Sequence, residues 1–147
     1  MAFRILIVDD NELMRSALKA VLGAGGRWEL CGEAANGAEA ISRVAELKPD
    51  LVVLDLVMPG MDGLQAAREI STIAPELPIL LHTWHATAAI EEEARRNGVR
   101  GVIAKSGGSD TLLSAVEGVF QERAARPAAA RGRRRPRGPE TKSTPVC

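Results

Sequence analysis

No apolar run in this sequence approaches the length of a membrane span. The opening stretch, MAFRILIVDD, is too short for a signal peptide and is cut off by two acids, so the expected compartment is the cytoplasm. Cysteine is scarce. Cys31 and Cys147 lie far apart and form neither a CxxC nor a Cys/His spacing, which argues against a disulfide framework or a zinc site and leaves free thiols as the expectation. His82 and His85 stand in an H-x-x-H spacing, but no further ligand lies near them in sequence, and His85 reads as a loop residue. The loop DDNELMR has no glycines or hydroxyl run that could cradle a nucleotide phosphate.

The chain has 147 residues, enough for one domain with a core of ordinary size. Its net charge of zero hides an asymmetry. Residues 1–120 hold 11 Lys/Arg against 17 Asp/Glu, a net −6, and residues 121–147 hold 8 against 2, a net +6. The segment 123–147 is built of Ala, Arg, Pro and Gly, with almost nothing to bury, and is expected to be a disordered tail. Five arginines between Arg131 and Arg137 could bind a polyanion weakly and in a salt-sensitive way, although no aromatic residue is present there to stack on bases. The same run could also be a solvated, biased tail without function, could touch anionic lipid, or could fold back on the acidic body.

Short apolar runs alternate with helical patterns from residue 3 to about 122. The runs are Phe3–Val8, Trp28–Ala34, Leu51–Leu54, Ile79–Leu81 and Gly101–Ala104. Between them, apolar residues recur every three or four positions, as in Met14, Ala17, Leu18, Val21 and Leu22, giving each helix one apolar face. The fourth helix, around Ala88–Asn97, has few apolar residues and carries Glu91, Glu92 and Glu93. Asn97-Gly98 should stop it, and Ser109 should cap the fifth helix. Five such alternations predict an α/β fold, a doubly wound five-stranded parallel sheet in the order 2-1-3-4-5, with ligands at the carboxyl ends of the strands beside the switch point between strands 1 and 3.

Four strands end in polar residues: Asp9 and Asp10 after strand 1, Asp55 after strand 3, Thr83 after strand 4 and Lys105 after strand 5. In a parallel sheet these ends share one rim. An isolated Asp after a strand is ordinarily a turn or helix cap, but four matched ends point to a site. Three clustered carboxylates repel one another. A hard cation relieves this, and oxygen ligands with open water positions suit Mg²⁺. Lys105 supplies a point charge for a phosphoryl group, and the Thr83 hydroxyl a hydrogen bond. One carboxylate can then form an acyl phosphate, and the central one is Asp55.

These residues resemble a known family. ILIVDDNELMR, LDLVMPGMDG, LLHTWHA and GVIAKS are similar to the acidic pair, phosphoacceptor segment, hydroxyl position and lysine of the receiver domain of two-component response regulators. The details are closest to the subfamily that usually carries a C-terminal helix-turn-helix. The resemblance covers residues 3–122, is drawn as a 1–122 receiver domain followed by the tail, and implies a flavodoxin-like fold. It implies that Asp55 accepts a phosphoryl group from a histidine kinase or phosphotransfer protein. Asp10 would bind Mg²⁺ directly, Asp9 directly or through water, and the backbone carbonyl of Val57 would complete the protein ligands. Lys105 would contact the phosphoryl group, and Thr83 would move toward it. Pro59 and Gly60 would shape the loop after the nucleophile, and Gly63 would permit a tight turn. The resemblance further implies a signalling switch rather than an enzyme, with a downstream protein partner on the face of helix 4, strand 5 and helix 5.

Val102 stands where many relatives have a rotating aromatic switch. It is stiff about its first torsion and reads as core. Ser106 stands where many have proline. Val57 and His85 hold positions that tune water access to the acyl phosphate, and an apolar Val57 predicts a longer phosphoryl lifetime. With no helix-turn-helix visible after the receiver, a stand-alone receiver, or one whose output domain has been lost, is expected. Other readings are a phosphorylation-independent adaptor, a regulator acting through nucleic-acid binding by the tail, an aspartate-nucleophile phosphatase and a flavin or nucleotide binder. The phosphatase motif needs a second Asp where this chain has Val57.

Overall fold

A computed structural model describes residues 2–125. The elements are β1 (Phe3–Val8), α1 (Glu12–Gly23), β2 (Trp28–Ala34), α2 (Gly37–Leu47), β3 (Leu51–Asp55), α3 (Gly63–Ile73), β4 (Ile79–Thr83), α4 (Ala88–Arg96), β5 (Gly101–Ala104) and α5 (Gly108–Ala125). All five strands are parallel, in the order β2-β1-β3-β4-β5. This is the doubly wound sheet expected from the alternation. The central strands are buried on both faces, which is why they read as continuous apolar runs rather than as alternating ones.

Pleating sends alternate residues to opposite faces. Leu6, Val8, Val52, Leu54, Ile79 and Leu81 meet the small or branched apolar faces of α2, α3 and α4, including Ala40, Val44, Ala66, Ala67, Ile70 and Ala94. Val102 of β5 is partly buried and packs against the edge of this cluster. Ile5, Ile7 and Val53 point the other way, and α1 lies against β1 and β2. The sheet, the first four helices and the start of α5 belong to one compact unit that ends at Glu117.

Four helices start from side-chain caps that immediately follow the loops at the strand ends. Asn11 accepts from Met14 N–H, Asn36 from Glu39 N–H, Asp62 from Gln65 N–H and Thr87 from Ile90 N–H. Each cap satisfies an otherwise unpaired helix donor and fixes where the loop becomes helix. The polar helix α4 forms despite its weak apolar pattern. Ala94 anchors it, and Glu92 and Glu93 pair along the helix with Arg95 and Arg96. Gly98, at φ +87°, ends it in a left-handed conformation, as the Asn97-Gly98 signal predicted.

The structure corrects one expectation. Ser109 does not cap α5 but lies inside its first turn, because Lys105–Gly107 form a 3-10 turn and the helix begins at Gly108, whose φ is +78°. The helix also continues to Ala125, past the expected end of the receiver at residue 122. The remainder of the expected tail, with its arginine run and Cys147, lies outside the described residues. Cys31 is a free thiol. Among the described residues, no helix is long and apolar enough to cross a membrane.

Candidate functional site

β1 and β3 are neighbours in the middle of the sheet, so the residues that end them are brought side by side. Asp9, Asp10 and Asp55 converge there, each offering a carboxylate oxygen within 4.8 Å of the others. Asp9 and Asp55 are buried, whereas Asp10 is exposed. The backbone of Asp9 extends the β1–β2 ladder by one bond, its N–H donating to the Ala34 carbonyl at 3.1 Å. One oxygen of its side chain accepts from Asn11 N–H at 2.9 Å. Lys105 reaches in from the 3-10 turn after β5. Its Nζ lies 3.0 Å from Asp9 Oδ2 and 3.1 Å from Asp55 Oδ1, with the side chain only 6% exposed.

Three carboxylates beside one ammonium leave an excess of negative charge. Burial first, and then the Asp9 charge, push the Asp55 carboxyl up from its ordinary value against the opposing pull of Lys105. Burial alone would lower the Lys105 ammonium, but its hydrogen bond to Asp9 and the charges of Asp55 and Asp9 outweigh this and push it up. The donor set is all oxygen, partly open to solvent through Asp10, and formally short of two positive charges. That chemistry fits a hard divalent cation such as Mg²⁺ and not a thiophilic metal.

Thr83 ends β4, which is paired to β3, and is buried. Its Oγ accepts from His85 N–H at 3.0 Å, which leaves the hydroxyl proton available to another acceptor. The loop after β3 has two features that depend on glycine. Gly60 adopts φ +79°. A Cβ on Gly63 would lie 2.2 Å from the Asp55 carbonyl oxygen and 2.8 Å from Leu56 Cα, so no larger residue fits where Gly63 N–H donates to the Leu56 carbonyl at 2.6 Å. Met61 N–H donates back to the Pro59 carbonyl at 3.0 Å. Val57, with its side chain exposed, follows directly after the site. An open cleft of about 660 Å³ adjoins the acids, lined by Asp10, Asn36, Pro59, Gly60, Met61 and Gln65 among others.

His82 and His85 do not join the acidic group. His82 is instead a buried neighbour, aligned with Asp55 across the β3–β4 pair. Burial, and then the Lys105 charge, lower its pKa to about 4, so it is neutral, and its Nδ1 has no hydrogen-bond partner among the described residues. Two supporting residues were not legible as such in the sequence. Arg15 on α1 donates to the Asp9 carbonyl, and Glu33 on β2 accepts from Arg15. Their only signal was the position of Arg15 on the first helix after the acids.

A family model for the response regulator receiver domain matches residues 5–117, a span that takes in every one of these side chains. The chemotaxis protein CheY of Thermotoga maritima is 41% identical over 105 residues, which are 71% of this chain and 87% of that protein. The response regulator VraR of Staphylococcus epidermidis is 33% identical over 121 residues, 82% of this chain but only 58% of VraR. Among solved structures, a LuxR-family two-component response regulator from Aurantimonas sp. SI85-9A1 superposes with a TM-score of 0.79 at 30% identity, covering 83% of this chain and 87% of that one. The chain therefore belongs to the response regulator receiver domain family, the phosphoacceptor module of two-component phosphorelay signalling.

Proposed function

We propose that this chain is a phosphorylation-dependent switch whose acceptor is Asp55 and whose donor is a phosphohistidine on a histidine kinase or phosphotransfer protein. The observation that carries this reading is the meeting of Asp9, Asp10 and Asp55 within 4.8 Å, with Lys105 bridging Asp9 and Asp55. Asp55 is the central acid. An oxygen of its carboxylate attacks phosphorus, the phosphorus–nitrogen bond breaks, and the imidazole leaves with the electron pair and takes up a proton. The cleft beside Asp10 leaves room for the donor to approach.

Mg²⁺ would be held by Asp10, Asp9 and Asp55 with the Val57 carbonyl, and when bound it supplies positive charge to the phosphoryl oxygens. The protein's own groups do the rest. Lys105 already lies within hydrogen-bond reach of Asp55 and can follow the charge from carboxylate to phosphoryl. Transfer replaces a carboxylate of charge −1 by an acyl phosphate of roughly −1.5 to −2, with three phosphoryl acceptor oxygens, at a buried position. The Thr83 hydroxyl has a free proton to offer and gains an acceptor. An arrangement of the β4–α4 loop that brings Thr83 toward the phosphoryl group is thereby favoured. The output is a changed surface around α4 and β5, read by a downstream protein.

The test is phosphoryl labelling with a small phosphodonor and Mg²⁺. Wild type takes up one group and Asp55→Asn takes up none while keeping its fold. Acid-labile labelling that persists in the variant assigns the nucleophile elsewhere.

A further inference from the structure

The acid pair hangs on a single peptide group. The carbonyl of Asp9 belongs to the peptide that joins it to Asp10, and the plane of that peptide sets the directions in which the two carboxylates leave the chain. Asp10 is exposed, so the position of its carboxylate depends on the backbone that carries it. Before the carbonyl, that backbone is fixed by the Asp9 N–H bond to Ala34. At the carbonyl it is fixed by Arg15, whose Nη1 donates at 2.7 Å.

Arg15 is itself held. Its Nε donates to Glu33 Oε1 at 2.8 Å, and its side chain is only 17% exposed. The other oxygen of Glu33 accepts from Lys19 Nζ at 2.8 Å. The hydrogen bonds from Lys19 and then Arg15 lower the Glu33 pKa, which keeps Glu33 ionised. A charged donor anchored by its own carboxylate makes a strong and directional bond to a carbonyl. The line from β2 through Glu33 and Arg15 to the turn between β1 and α1 contains no group with another evident role.

We propose that Arg15 is a positioning residue for the cation site, orienting the Asp9–Asp10 peptide, with Glu33 as its anchor. This rests on the reading of Asp9, Asp10 and Asp55 as a Mg²⁺ site. It is a contribution to metal affinity made by a cation that touches no metal ligand atom. The sign of the effect identifies it. As a mere charge, Arg15 repels a divalent ion, so its removal would tighten binding. As a positioning group, its removal loosens the acid pair and weakens binding. Residues behind metal ligands in this way cost roughly 10–100-fold in affinity when changed.

The experiment is calorimetric titration of the full chain with MgCl₂, with thermal melts to verify that each variant is folded. Arg15→Met should weaken Mg²⁺ binding about tenfold. Glu33→Gln should weaken it less, since it loosens the anchor only. Lys19→Met, which removes the other partner of Glu33 and leaves Arg15 in place, should bind as wild type does. If Arg15→Met is unfolded, Arg15→Lys, which keeps the charge but cannot span both acceptors, carries the same expectation of weaker binding. Wild-type or tighter affinity in a folded Arg15 variant overturns the proposal while leaving the cation site standing. No uptake of Mg²⁺ by wild type removes the site itself, and this proposal with it.

Discussion

The Lys105 ammonium lies 3.1 Å from Oδ1 of Asp55, and it reaches there from the 3-10 turn after β5, 50 residues further along the chain. It offsets part of the charge that Asp9 and Asp55 bring into a buried rim. Lys105→Met should therefore cost about 3 kcal/mol in Mg²⁺-free buffer, because it leaves paired carboxylates without their counterion. Added Mg²⁺ should restore much of that loss. Urea unfolding with and without the cation measures both.

Asp55 contributes to stability with the opposite sign. Its folded pKa lies above the unfolded value, so the native state binds the proton more tightly. Its favourable contribution is full below the unfolded pKa of roughly 4 and is lost as pH rises through the folded value. At neutral pH the ionised group is a net strain. Asp55→Asn should accordingly raise the melting temperature at pH 7 without divalent cation, and the gain should shrink when Mg²⁺ is present for wild type.

His82 gives an acid limit of a different origin. Its folded pKa of about 4 lies below the ordinary 6.5 because burial and Lys105 disfavour the charged ring. The neutral ring's contribution is complete above the unfolded value and is lost as pH falls from there through about 4. The maximum is up to roughly 3 kcal/mol. His82→Leu should flatten the fall in stability between pH 6.5 and 4 relative to wild type, as read from denaturant midpoints across that range.

Gly63 is a steric requirement and not a matter of chain freedom. With a Cβ only 2.2 Å from the Asp55 carbonyl oxygen, Gly63→Ala must move the backbone of Asp55. A loss of about 3 kcal/mol, at the upper end for overpacking, is expected in thermal or urea melts, with phosphoryl labelling reduced.

Val57 is an exposed apolar side chain two residues past Asp55. It cannot hold a water for attack on an acyl phosphate. Val57→Asn should shorten the phosphoryl lifetime several-fold, measured by loss of phosphate after the donor is removed.

The sheet order could be read from the sequence because buried parallel strands are continuous apolar runs, and right-handed crossovers leave few arrangements. The rim acids, Thr83 and Lys105 could be read because each stands within two residues after such a run. α4 and the start of α5 were harder. The first has only a narrow apolar stripe, Ile90 and Ala94, among exposed Glu–Arg pairs, and the second begins after a 3-10 turn that no cap residue announces. Arg15 and Glu33 were invisible for a different reason. Their side-chain pair joins α1 to an edge strand 18 residues later, and the other bond of Arg15 ends on the Asp9 main-chain carbonyl, which has no side-chain signature.

The most direct test of the acceptor is chemical. After phosphorylation with a small phosphodonor and Mg²⁺, borohydride reduction converts an acyl phosphate of aspartate to homoserine, and tandem mass spectrometry locates it. Homoserine should appear at position 55 alone and be absent without the donor. Homoserine at position 9 or 10, or at no position, would contradict the account.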